Sequence, residues 1–239
     1  MRNVWTIARR ELYAYFSSPI AYVSMAAFLA VMGLLYWLFI VYTNEATMRY
    51  ILGSGWISFL LILFSAVITM RLLAEEQRSG TIELVLTAPV RDWELVLGKY
   101  LASLILFMVM LVITFYQPII MKSLGNPDLS ATASGYLGFF LVGAALLAIG
   151  TMTSTFTRNQ VVAAILAIAI CVALWLVQFA GARSPGTFVG EFLNKLALFN
   201  HYLDFSDGLI DTQHIVYYVS VVTAALFIAT RVVEARRWR

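Results

Sequence analysis

Glu75-Glu76-Gln77-Arg78-Ser79-Gly80-Thr81-Ile82-Glu83-Leu84-Val85-Leu86-Thr87-Ala88-Pro89-Val90-Arg91-Asp92-Trp93-Glu94-Leu95-Val96-Leu97-Gly98-Lys99 is the stretch that decides how this chain is read. It is the one long charge-rich segment between two apolar runs, each long enough to cross a bilayer. A chain made mostly of lipid-soluble runs, with one elaborate polar insert, presents that insert to something on its side of the membrane.

Working outward, the composition leaves little room for a soluble fold. The chain is 62% hydrophobic and 12% charged, where soluble domains run at about 45–50% and about 25%. A hydrocarbon core takes about 20 apolar residues of helix. Five runs of that kind and a marginal sixth are expected, at 20–43, 55–74, 100–121, 135–157, 161–180 and 214–233. Strands of a membrane barrel would alternate apolar and polar residues, and these runs do not. The expected fold is an all-α integral membrane protein of six transmembrane helices, forming a single domain over residues 1–239.

Lysine and arginine placement orients such a bundle. An even number of spans puts both termini on the side of the 75–99 insert and of the short 158–160 turn. Twelve of the sixteen basic residues lie there: Arg2, Arg9, Arg10, Arg71, Arg78, Arg91, Lys99, Arg158, Arg231, Arg236, Arg237 and Arg239. Only Arg49, Lys122, Arg183 and Lys195 lie opposite. Both termini are therefore expected in the cytoplasm, in the cytoplasmic (inner) membrane of a prokaryote. The net charge of +3 reflects insertion and points to no nucleic acid. The single cysteine, Cys171, falls within a span and rules out a disulfide framework.

Residues 2–16 predict an amphipathic helix lying in the membrane interface. Val4, Trp5, Ala8, Leu12, Tyr15 and Phe16 form its apolar stripe, with Arg2, Thr6, Arg9 and Arg10 facing away. Trp5, Arg9, Arg10, Leu12 and Phe16 are its candidate interfacial residues, whether it anchors the chain or moves with it. Ser17-Ser18-Pro19 then turns the chain into the first span. The insert predicts a short helix from Thr81 to Thr87, closed by Ala88-Pro89, and an amphipathic turn from Trp93 to Leu97. Gln117-Pro118 predicts a kink near the far end of the third span, read as shaping the bundle. Gly135, Gly138, Gly143 and Gly150, with Ala144 and Ala148, predict close helix packing in the fourth span. The hydroxyl run Thr151 to Thr157 is read as bonding its own backbone. On the far side, Thr187 to Ala197 predicts a short amphipathic helix, and 201–211 a solvated loop with capping aspartates.

The chain offers no chemistry of its own. A phosphate loop would need glycine at Trp93 and Ser or Thr at Tyr100, so ATP and Mg, if used, belong to another subunit. Glu75-Glu76 resembles the glutamate pair of intramembrane prenyl-type proteases, but His201 and His214 fall on the opposite side of the membrane. His201, Asp204, Asp207 and Asp211 match no defined metal spacing. No charge is expected at mid-depth in any span, which disfavours a proton-driven carrier or a charged channel filter. No metal site, no bound cofactor and no catalytic residue are expected.

Several motifs resemble the membrane subunit of an ABC-2 type ATP-binding-cassette transporter, and especially its gliding-motility-type permeases. They are Arg10-Glu11 through Tyr15-Phe16-Ser17-Ser18-Pro19-Ile20-Ala21-Tyr22, the insert Glu75-Glu76 with Gly80-Thr81-Ile82-Glu83, Pro89 and Gly98-Lys99, and more weakly Asp204-Phe205 to Gly208-Leu209-Ile210-Asp211. The resemblance implies a permease, an exporter, paired with a second permease subunit as homo- or heterodimer and with two separate ATPase subunits. It makes the N-terminal helix a connecting helix and the 182–213 region a re-entrant segment. It makes the insert the coupling element, carried by Glu75, Glu76, Arg78, Gly80, Thr81, Ile82, Glu83, Val85, Leu86 and Pro89. Physically, Ile82, Val85 and Leu86 offer a small apolar centre and the charges a rim, as a docking contact needs. The other reading kept open is a membrane anchor or scaffold subunit of a motility or envelope complex.

Overall fold

The computed structural model describes residues 2–43, 49–81, 90–124, 128–183 and 186–237. Twelve helices are described, in chain order: α1 Arg2–Ser17, α2 Pro19–Thr43, α3 Arg49–Leu52, α4 Gly55–Thr69, α5 Ala74–Ser79, α6 Asp92–Ile113, α7 Tyr116–Leu124, α8 Leu129–Phe156, α9 Gln160–Ala182, α10 Phe188–Leu196, α11 Asn200–Ser206 and α12 Thr212–Arg237. No strand occurs among the described residues. Six helical stretches are long and apolar enough to cross a membrane: Ala21–Tyr42, Gly55–Ser79, Asp92–Ser123, Leu129–Phe156, Gln160–Ala182 and Thr212–Arg236. Each overlaps an expected span, the second running on to Ser79 and the third beginning already at Asp92.

α8 is the axis of the bundle. Of its most apolar window 78% is buried, against 17% for the windows of α2, α9 and α12, which form the periphery. Its small residues explain that position. A side chain at Gly143 would overlap Phe107 of α6, and one at Gly150 would overlap Thr69 of α4. Apolar surface gains nothing by leaving lipid for protein, so helices associate through such close packing. The expectation of tight packing along this helix is met.

Two spans are broken, and both breaks are repaired across helices. Between α4 and α5 the helical ladder lapses over Met70–Leu73. Ser154 of α8 closes the gap: its hydroxyl donates to the Met70 carbonyl (3.2 Å) and accepts from Leu73 N–H (3.0 Å) and Ala74 N–H (3.1 Å). Gln77 Nε2 donates to the carbonyls of Ser154 (3.4 Å) and Thr155 (3.2 Å). Thr151, Thr153 and Thr155 bond back to their own helix at Leu147, Gly150 and Met152, as expected. Ser154 departs from that pattern because an interrupted neighbour offers it better partners.

The second break separates α6 from α7 at Thr114 and Phe115. Pro118 has no N–H to return to the Thr114 carbonyl four residues earlier. The Gln117 N–H donates to that carbonyl from three residues on (3.0 Å), Tyr136 Oη of α8 adds a second bond to it (3.1 Å), and Tyr36 Oη of α2 donates to the Gln117 carbonyl (2.8 Å). Backbone groups exposed to hydrocarbon must find protein partners, and here tyrosines reinforce the bonds that the broken ladder keeps.

The chain thus has two ends. At the basic end lie α1, α5 and the start of α6, together with the close of α8, where Arg236 of α12 donates to Thr155 O (2.9 Å). At the opposite end lie α7, α10, α11 and the start of α8, where Ser134 Oγ donates to Phe205 O (2.7 Å). The solvated loop expected over 201–211 holds only for 207–211; residues up to Ser206 form the packed helix α11 instead, because Ala197, Leu198, Phe199, Tyr202 and Phe205 are almost fully buried. It ends in a paired C-cap: Leu209 N–H donates to Asp204 O (2.9 Å) and Gly208 N–H to Phe205 O (3.1 Å). Gly208 takes the left-handed φ of 92° that this cap requires.

Ser154→Ala is expected to leave the Leu73 and Ala74 amides without their partner, at a cost of about 1–3 kcal/mol. Thermal unfolding in detergent, followed by tryptophan fluorescence, measures it. A melting temperature equal to the parent's would mean that the break between α4 and α5 is satisfied some other way.

Candidate functional site at the basic end

The site is built where three helices meet that are far apart in sequence. α1 buries Val4, Ala8 and Tyr15 against the bundle, and it lies along the first turns of α6. Gly98 makes that approach possible, since a Cβ there would stand 2.8 Å from Ile7 Cβ and 3.0 Å from the Val4 carbonyl. Asn3 Nδ2 donates to Glu94 Oε2 (3.1 Å), and the same oxygen accepts from the Arg91 N–H at the start of α6 (3.1 Å). Farther along, Tyr15 Oη donates to the Ile68 carbonyl of α4 (2.7 Å), with the Arg71 guanidinium 4.5 Å over its ring.

At the centre sits an ion quartet. Lys99 of α6, with only 1% of its side chain exposed, places Nζ 2.9 Å from Glu11 Oε1 and 3.0 Å from Glu76 Oε1. Arg10 Nη2 stands 3.0 Å from Glu11 Oε1 and 2.9 Å from Glu76 Oε1. Two cations and two carboxylates cancel formally, so α1, α5 and α6 are locked by charges that none of them could bury alone. Burial by itself would raise the Glu11 carboxyl, yet Lys99 and Arg10 together hold it below the usual carboxylate range. Burial likewise works against the Arg10 cation, and the two glutamates overcome it, raising its pKa.

The residues expected from sequence fall as follows. Arg10 was placed on the face turned from the bundle, but its guanidinium reaches Glu76. Two carboxylates focused on one buried lysine need a second cation, and Arg10 is within reach. Trp5, Arg9 and Phe16 are exposed and Leu12 is half-buried, so the apolar stripe divides into a bundle-facing edge and an outward one. Glu75, Arg78, Gly80 and Thr81 are exposed at the end of α5, and Gly80, at φ 75°, closes the helix. Glu75 also lines a cavity of about 220 Å³ with Tyr15, Arg71 and Gln160. Ile82, Glu83, Val85, Leu86 and Pro89, and with them most of the helix expected from Thr81 to Thr87, lie outside the described residues.

Glu11 and Lys99 are the participants that sequence reasoning missed as a pair. Each belongs to a motif, but nothing in one chain's spacing joins positions 11, 76 and 99. A lysine at the start of a span, with no partner assigned to it, was the available signal.

A family model described as "ABC-2 family transporter protein" matches residues 16–233. The chain belongs to the ABC-2 transporter family. It is accordingly a multi-pass membrane transport subunit, not itself catalytic, of a family that normally works with an ATPase subunit. No curated protein is a significant match.

At the opposite end, the sequence-selected acids and histidines are brought only partly together. His201 Nδ1 and His214 Nδ1 are 2.7 Å apart, and His214 Nε2 is 2.8 Å from Asp204 Oδ2. Asp211 caps α12 by accepting from Gln213 N–H (2.9 Å). Among the described residues, no group of three or more His, Cys, Asp or Glu is arranged to hold a metal ion.

Lys99→Met is expected to cost about 3–5 kcal/mol, because it strands two carboxylates with one arginine. With Glu11→Gln in a double-mutant cycle, a coupling of about 1–3 kcal/mol is expected; strict additivity of the two unfolding free energies would refute the quartet. Acidification gives an independent reading. The depressed Glu11 contributes fully above the ordinary carboxylate value of 4.5 and loses its contribution as pH falls through its lower folded value. Stability of the parent should therefore fall on acidification more steeply than that of Glu11→Gln.

Proposed function

We propose that this chain is the permease of an ATP-driven exporter, with both termini in the cytoplasm and a separate ATPase docked at 75–89. The observation that carries this reading is the ion quartet. The segment that would receive the ATPase begins in α5, and Glu76 of α5 is bonded to Lys99 of α6 and Arg10 of α1. A displacement of the segment would reach both helices at once, as a rigid-body switch requires. The excess of lysine and arginine at this end supports its cytoplasmic placement in an inner membrane.

A second permease subunit completes the proposed assembly, with one ATPase per permease. The peripheral helices offer surface for it: Trp37 and Tyr42 of α2 and Ile165 and Phe179 of α9 are exposed large apolar residues. The motifs at Arg10 to Tyr22 and in the insert support a likeness to the gliding-motility-type permeases. ATP and Mg would be held by the ATPase alone.

Reconstitution with its cognate ATPase tests the reading. Glu83→Lys and Leu86→Asp should abolish docking or stimulated ATP turnover while the six spans remain inserted. Lys99→Gln, in contrast, should leave docking in place and lower stimulated turnover, since it loosens the link beyond the contact. Unchanged docking and turnover in both insert variants would sink the coupling role.

A further inference from the structure

The chain has two histidines, and they meet in one hydrogen-bonded row at the end of the bundle opposite α1. His201 of α11 places Nε2 3.0 Å from the Lys195 carbonyl at the end of α10. Its Nδ1 lies 2.7 Å from His214 Nδ1 in the first turn of α12. His214 Nε2 lies 2.8 Å from Asp204 Oδ2. His201 is buried and His214 nearly so, while Asp204 is half exposed, with 48% of its side chain accessible.

Counting hydrogens along this row fixes its charge. A carbonyl oxygen only accepts, so His201 Nε2 carries hydrogen. The two Nδ1 atoms share a second. The contact with Asp204 needs a third, on His214 Nε2 facing the carboxylate. Two neutral imidazoles and a carboxylate hold only two. We propose that His201, His214 and Asp204 form a proton-binding site that fastens α11 to α12 only while three hydrogens are shared among them.

The neighbouring groups leave that count unchanged. From α12, Tyr217 and Tyr218 pack their rings on His201, but their hydroxyls donate to the Leu196 and Leu198 carbonyls, each at 2.7 Å. Phe205 of α11 meets the His214 ring edge-on. Asp211 lines the same cavity as Asp204 and His214 and accepts from Gln213 N–H. From α10 the Lys195 carbonyl faces the row.

The row opens in both directions of pH. Loss of the third hydrogen turns two acceptors toward each other at 2.7–2.8 Å. Gain of a fourth sets two N–H groups face to face or removes the Asp204 charge. On the acid side, burial lowers the pKa of His201, outweighing its bond to Lys195, and His214 adds to the lowering. A base so depressed contributes above its ordinary value of 6.5 and loses that contribution as pH falls through its folded value. The hydrogens are shared along one row, so each limb belongs to the row as a whole. The consequence is a clasp between the segment after α9 and the last span, set by the pH on the side opposite the termini. It is independent of the ATPase contact at the other end.

Histidine labelled with ¹⁵N reports this site alone, since the chain has two. In the full chain in lipid nanodiscs, near neutral pH, three ring N–H signals and a scalar coupling between the Nδ1 atoms are expected. Both should vanish on acidification and on alkalinisation. Two rings titrating independently, or a spectrum that changes on adding a chelator, would overturn the proposal. Asp204→Asn supplies the second test. An asparagine amide donates to a neutral His214 Nε2, so the row closes with two imidazole hydrogens. The Nδ1–Nδ1 coupling should then survive alkalinisation and still disappear in acid. An Asp204→Asn profile identical to the parent's, or coupling lost at every pH, would refute the proton site.

Discussion

Hydrocarbon supplies no hydrogen bonds, and most of this architecture follows from that constraint. A helix satisfies itself only while it is continuous, yet two of the six spans are broken, at Met70–Leu73 and at Thr114–Phe115. Each break survives because a neighbouring helix brings a hydroxyl to it: Ser154 to the first, Tyr136 and Tyr36 to the second. Ser154 and Tyr136 both belong to α8, so the helix that repairs the ladder is also the one that must be central. Its glycines let α4 and α6 approach closely enough for the repair.

The break between α4 and α5 has a further effect at the basic end. It releases α5 from a continuous span and lets Glu76 turn toward Lys99. A fully buried lysine is costly unless paired, and here two carboxylates pair it while Arg10 restores neutrality. Charge balance thus ties the N-terminal helix to the bundle more specifically than an apolar stripe would. α1 is consequently docked along α6, not merely laid on a lipid surface, and its outward edge at Trp5 and Phe16 is what remains for the membrane interface.

The opposite end is held by different means. Tyr202 Oη donates to the Leu52 carbonyl (2.8 Å), Ser134 to Phe205, and Tyr218 to Leu198. Side-chain hydroxyls reaching backbone carbonyls make the segment between α9 and α12 a folded cap. α10 keeps Phe188, Val189 and Phe192 exposed, while a side chain at Gly181 of α9 would overlap its Asn194. One edge of α10 is therefore fixed to the bundle and the other left open.

The sequence by itself determined the all-helical membrane class, the six spans, the amphipathic N-terminal helix and the tight packing at Gly143 and Gly150. These depend on apolar run length and on local periodicity, which neighbours in sequence carry. The kink at Pro118 was legible for the same reason, as a missing N–H is a property of one residue. Only the tertiary structure decided that Glu11, Glu76 and Lys99 share a site, that Ser154 serves another helix, and that His201 on the packed helix α11 meets His214 at the start of α12. Those contacts join positions up to 88 residues apart, and a polar side chain looks the same in sequence whether it faces water, lipid headgroups or a buried partner. Its role is set by the dielectric and the partners around it, and both come into being only when the helices pack.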